Sequence, residues 1–157
     1  MQHSWFNIHE LPDREGNRNI PKNLIDEHNK VIHREIKDQY NLIGNYNNIF
    51  IGGFSQSACM ALYSCMTYKE NLGGVIMFSG FNFDFTPIDP EKSKIPLLAI
   101  NGLRDETVII RHARNSFFSL KKNKFNINLV EETGLYHAFS KSGLRAGNDL
   151  LVDKKFN

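Results

Sequence analysis

Residues 49–60 of the chain read Ile49-Phe50-Ile51-Gly52-Gly53-Phe54-Ser55-Gln56-Ser57-Ala58-Cys59-Met60. The continuous apolar run over residues 49–53 is typical of a strand buried in a parallel sheet. Ser55 stands at the tip of the glycine-rich turn after it, and a run of helix formers follows. Such a turn holds a serine hydroxyl clear of the sheet, and the next backbone N–H can donate to an oxyanion. The stretch therefore predicts an α/β fold with a candidate nucleophile.

Outside this stretch the chain alternates between helical and strand patterns. Apolar residues at three- and four-residue steps predict helices, and short apolar runs predict strands. The predicted helices span residues 22–41, 58–68, 107–122 and 141–156, and the predicted strands span residues 49–53, 73–79, 95–101 and 125–131. We expect Thr107 to cap the third helix, and prolines to keep residues 80–94 irregular. The alternation indicates a single α/β domain over residues 1–157, with a mostly parallel sheet and helices on both faces.

Length and composition are those of a soluble globular domain. The chain has 157 residues, of which 41% are hydrophobic and 23% charged, with a net charge of +2. Lys and Arg are scattered, so no nucleic-acid partner is predicted. No apolar run approaches the roughly 20 residues of a membrane span. The two cysteines, Cys59 and Cys65, lie about 240° apart around one predicted helix. We therefore expect reduced thiols, as in a cytoplasmic protein.

A serine nucleophile needs a base, and the base needs a carboxylate that orients it. Asp105 lies in the turn after the third predicted strand, with Glu106 as the rival acid, and His137 lies just after the fourth. The order Ser, Asp, His along the chain is that of α/β-hydrolases. Because each residue follows the carboxyl end of a strand, we expect all three at one edge of the sheet. Taken singly, each also fits an ordinary turn or surface residue.

The other candidate groups carry weaker signals. Phe81 and Phe83 alternate in the irregular segment, where they either line a pocket for an acyl chain or anchor the loop on the core. The remaining histidines have no cysteine or acidic cluster beside them, so no metal site is predicted. Three of these histidines are expected to lie at the surface: His3, His9 and His112.

Together these pieces resemble the acyl-protein thioesterase family, the phospholipase/carboxylesterase branch of the α/β-hydrolases. The matching segments are Ser4-Trp5-Phe6-Asn7-Ile8, Gly52-Gly53-Phe54-Ser55-Gln56, Gly74-Val75 with Ser79-Gly80, Gly102 with Asp105 and Val108, and Gly134 with His137. The resemblance implies hydrolysis of fatty-acyl thioesters or esters, in S-acylated proteins or lysophospholipids, without a cofactor. It implies Ser55 as nucleophile, His137 as general base and then acid, and Asp105 as the group that orients His137. The backbone N–H of Gln56 is the implied oxyanion donor.

The sequence departs from the family pattern in three places. Asn101 replaces the family's His before Gly102, and Ser57 replaces a Gly of the serine motif. The family's strands ahead of the first matching segment have no counterpart here, nor has the loop that supplies a second oxyanion N–H, a donor worth about 10²–10³ in rate. We therefore expect an N-terminally truncated domain. Its strand at residues 49–54 would be an exposed edge, covered by a partner or by a preceding part of a longer chain.

Two functions follow from these features. The first is a serine hydrolase that cleaves fatty-acyl thioesters or carboxylic esters through Ser55, His137 and Asp105. The second is a non-catalytic, hydrolase-like remnant that binds a partner or an acyl chain. Another α/β-hydrolase activity, such as a lipase or peptidase, fits the serine segment less well. For the hydrolase, the expected partners are an acylated protein or a lipid ester, with transient contact with a membrane surface and no nucleic acid.

Overall fold

The computed structural model describes Trp5 and residues 20–153 of the chain. Within these residues, four helices and four strands follow one another. The helices are α1 (Lys22–Ile43), α2 (Gln56–Thr67), α3 (Ile110–Lys122) and α4 (Lys141–Asp153), and the strands are β1 (Phe50–Phe54), β2 (Gly74–Phe78), β3 (Leu97–Gly102) and β4 (Ile127–Glu132). Short 3₁₀ helices lie at Tyr46–Asn48 and Pro90–Lys92.

The four strands form one parallel sheet in the order β1-β2-β3-β4. The register brings the carboxyl ends of the strands to one edge, where Phe54 pairs with Phe78, Phe78 with Ile100, and Ile100 with Val130. β1 is the outermost strand on its side of the described sheet and is less buried than β2 and β3. The parallel sheet and the edge position of β1 confirm two sequence predictions.

Helices cover both faces of the sheet. α1 and α3 pack with one face in the main core and α2 with nearly all of its residues, and β2 contributes Val75 and Met77 to the same core. α4 packs on the opposite face over a smaller cluster built from Phe78, Leu98 and Ile100. Successive residues of a strand point to opposite faces, which is why β2 supplies both clusters. The predicted two-faced α/β arrangement is therefore confirmed.

Helix α2 is the innermost helix and carries the turn at its start. All its residues from 58 to 66 are buried, because the sheet covers one side of α2 and α1 packs on another. Its two cysteines, Cys59 and Cys65, form no disulfide, and burial raises the pKa of the Cys65 thiol to about 12. A helix that is apolar on every side belongs in a core. The first turn of α2 is therefore held by its surroundings.

Helix α1 is tied to α2 by buried polar side chains as well as by apolar contacts. Asn29 accepts a hydrogen bond from the Ser64 hydroxyl (2.6 Å) and donates one to the Thr67 hydroxyl (2.8 Å). α1 ends at Ile43 and is capped by Gly44, which has a φ of 75° and donates its N–H to the Tyr40 carbonyl (2.7 Å). Glycine adopts this left-handed conformation without a side-chain penalty.

The structure corrects one predicted cap and moves several boundaries. The third helix begins at Ile110, and Thr107 is not its cap. The N–H groups of Thr107 and Val108 instead donate to Asp105 Oδ1, both at 2.8 Å, so the chain turns around Asp105 before the helix starts. α2 begins at Gln56, directly after the serine and two residues earlier than predicted.

Some predictions fall on residues that the structure does not describe. These are the last predicted turn of α4 beyond residue 153, the surface positions of His3 and His9, and the first matching segment apart from Trp5. Within the described part of the chain, no helix has both the length and the apolar character to cross a membrane.

We predict that Phe117 and Phe118, neighbours in α3, respond in opposite ways to truncation. Phe117 is 0% exposed and Phe118 is 65% exposed. Phe117→Ala leaves a cavity in the main core and should lower the free energy of unfolding by about 3–5 kcal/mol. Phe118→Ala, the matched control, should change it by less than about 0.5 kcal/mol. Urea unfolding measures both, and equal losses would contradict the described packing of α3.

Candidate active site

Ser55 occupies a strained turn between the last residue of β1 and the first residue of α2. Its backbone has φ 56° and ψ −119°, a conformation that costs a non-glycine residue about 1–3 kcal/mol. The surrounding backbone holds it there. Ser55 donates its N–H to the Phe78 carbonyl (2.8 Å), and its own carbonyl accepts from the N–H groups of Ala58 (3.0 Å) and Cys59 (3.3 Å).

Gly53 explains how the strand and the helix come so close. A Cβ atom added at Gly53 would lie 2.5 Å from the backbone carbon and oxygen of Ser57. No side chain fits into this gap, so the position requires glycine. The turn therefore has the sharp strand-to-helix form in which a nucleophilic serine is presented above a sheet.

Asp105 and His137 lie in the loops that follow β3 and β4, and their side chains are in direct contact. His137 Nδ1 lies 2.7 Å from Asp105 Oδ2. The Asp105 side chain is 0% exposed and that of His137 is 24% exposed. Because a carboxylate only accepts hydrogen bonds, this contact places the imidazole proton on Nδ1 and leaves Nε2 as the acceptor. Glu106, the rival acid, is exposed, and Asp105 makes the contact with His137.

The His137 ring also reaches the serine turn through an aromatic contact. It packs against Phe54, the residue before Ser55, with ring centroids 4.7 Å apart. Among the described residues, the Ser55 hydroxyl and the His137 ring make no hydrogen bond with each other. The structure thus joins His137 to Asp105 and lays its ring beside the turn. Catalytic hydrogen bonds often tighten only when substrate is bound.

Gln56 is the first residue of α2, so its backbone N–H lies in the first helical turn. N–H groups there have no carbonyl partner within the helix, and the positive end of the helix dipole favours a nearby negative charge. An oxyanion formed at Ser55 would meet this end of the helix. The role of Gln56 as oxyanion donor stays a prediction.

Phe81 and Phe83 lie in the irregular segment after β2, and both are buried in the main core. Their rings meet edge to face at 5.8 Å, and Phe83 stacks on Phe85 at 5.1 Å. These contacts agree with the alternative that the phenylalanines anchor the loop, and a role in an acyl-chain pocket stays a prediction. His112, expected at the surface, is partly buried with its ring against Phe81.

Two residues beside Ser55 were missed as contributors to the site. Trp5 donates its backbone N–H to Gln56 Oε1 (3.1 Å) and its indole N–H to Ser57 Oγ (3.0 Å). The sequence presents Ser57 only as a replacement for glycine, and Trp5 lies 50 residues before the serine.

Asn101, the replacement for the family's His, is fully buried and donates its side-chain amide to the Gly80 carbonyl (3.0 Å).

Comparisons with known proteins show the family of the chain. The sequence model of the phospholipase/carboxylesterase family matches residues 1–151. A probable carboxylesterase of rice, Oryza sativa subsp. japonica, is 32% identical over 148 residues, which cover 90% of this chain and 54% of the rice protein. Acyl-protein thioesterase 1 homolog 1 of Dictyostelium discoideum is 32% identical over 141 residues, which cover 85% of this chain and 60% of that protein.

The same similarity extends to three dimensions. The crystal structure of SOBER1 from Arabidopsis thaliana matches with a TM-score of 0.82 at 26% identity, and the match covers 96% of this chain and 73% of that chain. Compared with the rice protein, this chain spans a little more than half of the length, at 54%.

We predict that Gly53→Ala destabilises the protein, because the new Cβ meets the backbone of Ser57. Overpacking of this kind costs about 1–3 kcal/mol. Gly147→Ala is the matched control, since a Cβ there finds Ile76 Cγ2 at an ordinary 3.4 Å. It should stabilise α4 by about 0.5–1 kcal/mol, because alanine favours a helix more than glycine does. Urea unfolding of both variants measures the difference, and a Gly53→Ala variant as stable as the wild type would refute the tight turn.

Proposed function

The chain belongs to the phospholipase/carboxylesterase family, and from this premise we propose that it is a serine hydrolase of fatty-acyl thioesters or carboxylic esters. The observation that carries the proposal is the contact between the buried Asp105 carboxylate and His137 Nδ1 at 2.7 Å. Beside it, the strained turn at Ser55 supports a nucleophile, because backbone strain of this kind clusters at functional sites.

In the proposed reaction, His137 acts through Nε2 and Ser55 through its hydroxyl oxygen. His137 takes the hydroxyl proton while Ser55 attacks the acyl carbonyl, and the tetrahedral oxyanion accepts a hydrogen bond from the backbone N–H of Gln56. The intermediate collapses, the bond to the thiol or alcohol breaks, and His137 returns the proton to the leaving group. A water molecule, deprotonated by the same His137, then attacks the acyl-enzyme. The bond between the acyl carbon and the Ser55 oxygen breaks, His137 returns the proton to that oxygen, and the fatty acid is released.

We propose S-acylated proteins or lipid esters such as lysophospholipids as the substrates. Relatives named as a carboxylesterase and as an acyl-protein thioesterase support this substrate range. Acyl chains of this kind are held in membranes, so the proposal includes transient contact with a membrane surface. It also includes a partner along the open edge of β1, and Phe81 and Phe83 as part of the acyl pocket. Cys59 and Cys65 are buried and form no disulfide, which supports a cytoplasmic location.

A second function is favoured by one observation. The Ser55 hydroxyl and the His137 ring make no hydrogen bond with each other in the described part of the chain. A hydrolase-like protein that keeps these residues without joining them would bind an acyl chain or a partner and turn over no ester. Hydrolysis of p-nitrophenyl esters, measured beside a thermal melt, separates the two functions, because the second combines normal folding with no turnover.

We predict that a fluorophosphonate probe labels Ser55. The probe phosphonylates only a serine that a neighbouring base activates, so labelling reports Ser55 and His137 acting together. Ser55→Ala should abolish the label. Ser93→Ala is the matched control. The Ser93 hydroxyl donates to the Pro90 carbonyl and lies before the amino end of β3, at the edge of the sheet opposite Ser55, so labelling should be unchanged. A wild-type chain that is folded and unlabelled would rule out the active hydrolase.

We predict that the two neighbouring acids differ in their effect on turnover. Asp105→Asn removes the acceptor that holds the Nδ1 proton of His137 and should lower kcat by about 10⁴, as the loss of the acid does in serine proteases. Glu106→Gln is the matched control, since Glu106 is exposed, and should leave kcat within twofold. Steady-state kinetics on a p-nitrophenyl ester measure both. Equal losses in the two variants would argue against Asp105 as the orienting acid.

A further inference from the structure

Trp5 reaches across the chain to hold the two residues that follow Ser55. Its backbone N–H donates to Gln56 Oε1 at 3.1 Å, and its indole N–H donates to Ser57 Oγ at 3.0 Å. We name this pair of hydrogen bonds the Trp5 latch. The latch connects positions separated by more than 50 residues, so it is a tertiary contact and not part of the local turn.

The far side of the indole is supported by α1. The Trp5 ring meets the His28 ring edge to face, with centroids 5.7 Å apart and planes at 76°. α1 is in turn fixed to α2 by Asn29, which donates a hydrogen bond to the Thr67 hydroxyl and accepts one from the Ser64 hydroxyl. Trp5 therefore lies between α1 and the first turn of α2 and is partly buried there.

The latch acts where the turn is under strain. Ser55 has a φ of 56°, and such a conformation persists only where the surrounding structure fixes it. The backbone hydrogen bonds of Ser55 itself use its N–H, which donates to Phe78, and its carbonyl, which accepts from Ala58 and Cys59. The latch adds two bonds to the side chains of the next two residues, on the helical side of the turn.

Ser57 has a chemical reason to be serine and not glycine. Glycine has no side chain and offers no acceptor to the indole N–H. At Ser57 the hydroxyl oxygen accepts that bond, while the backbone of the same residue leaves no room for a side chain at Gly53. The replacement that departs from the serine motif therefore gives the chain an additional tie across its turn.

We propose that Trp5 and Ser57 are positioning residues for the reaction. Through the latch they hold the first turn of α2 so that the Ser55 hydroxyl and the Gln56 N–H keep the orientation that acyl transfer needs. The inference rests on the proposed hydrolase function and goes beyond it by assigning roles to two residues outside the set of Ser55, His137 and Asp105. Neither residue touches the reacting atoms, so loss of the latch lowers kcat and leaves KM nearly unchanged.

The latch itself is tested without any enzyme assay, because Trp5 is the single tryptophan of the sequence. In a ¹⁵N-labelled full chain, its indole N–H gives one cross-peak. Ser57→Ala removes the acceptor and should shift this peak and the Gln56 amide peak, and should speed indole exchange with solvent by about tenfold. Ser57→Thr keeps a hydroxyl and should restore both positions, and Ser93→Ala should move neither peak.

The positioning role is tested by kinetics on a p-nitrophenyl ester, at a temperature where thermal melts show every variant to be folded. Ser57→Ala and Trp5→Phe each remove the indole bond and should each lower kcat about 3- to 10-fold, in line with one neutral hydrogen bond. Ser57→Thr should recover kcat. Since both variants break the same bond, the double variant should fall no further than either single one.

The outcomes separate the latch from the hydrolase function. In one outcome the wild type is unlabelled and inactive, while Ser57→Ala still moves the indole and Gln56 peaks. This result refutes the hydrolase and overturns the positioning role, and the latch remains as a structural tie. An active enzyme whose peaks stay in place in Ser57→Ala overturns the latch alone. Peaks that move without any change of kcat overturn the positioning role, and so do additive losses in the double variant.

Discussion

At Gly53 and Ser57 the backbones of β1 and α2 touch, and this contact determines the geometry of the site. The missing side chain at Gly53 lets the first turn of the helix sit directly over the end of the strand. Ser55 then has to turn through a positive φ between the two elements. The chain accepts this strain because α2 is buried along most of its length and cannot move away. The position of Ser55 thus depends on the packing of a whole helix.

Parallel pairing then brings the other functional groups to the same edge. In a parallel sheet every strand presents its carboxyl end at one side, so the loops after β1, β3 and β4 lie at the same edge. Asp105 uses one carboxylate oxygen to close its own turn, through the N–H groups of Thr107 and Val108, and the other to hold His137. One buried side chain therefore both shapes a loop and holds the His137 ring.

The two faces of the sheet are unequal, and this bears on the site. The face under α1, α2 and α3 forms the larger core, while the α4 face has a small cluster with Phe54, Ile76 and Val130 only partly buried. Phe54 packs against both His137 and the exposed Phe139 on this side. The His137 ring is therefore supported by aromatic side chains at the more open face and by the carboxylate of Asp105.

The sequence by itself determined the order of the elements, the parallel sheet and the three candidate residues Ser55, Asp105 and His137. These follow from local periodicity and from positions just after strands, which the chain carries in its own order. Only the tertiary structure decided that Asp105 and not Glu106 contacts His137, that Thr107 is not a helix cap, and that the Trp5 indole donates a hydrogen bond to Ser57. These contacts join residues far apart in sequence, or depend on which way a side chain points once the chain is packed. A local sequence pattern predicts neither of these.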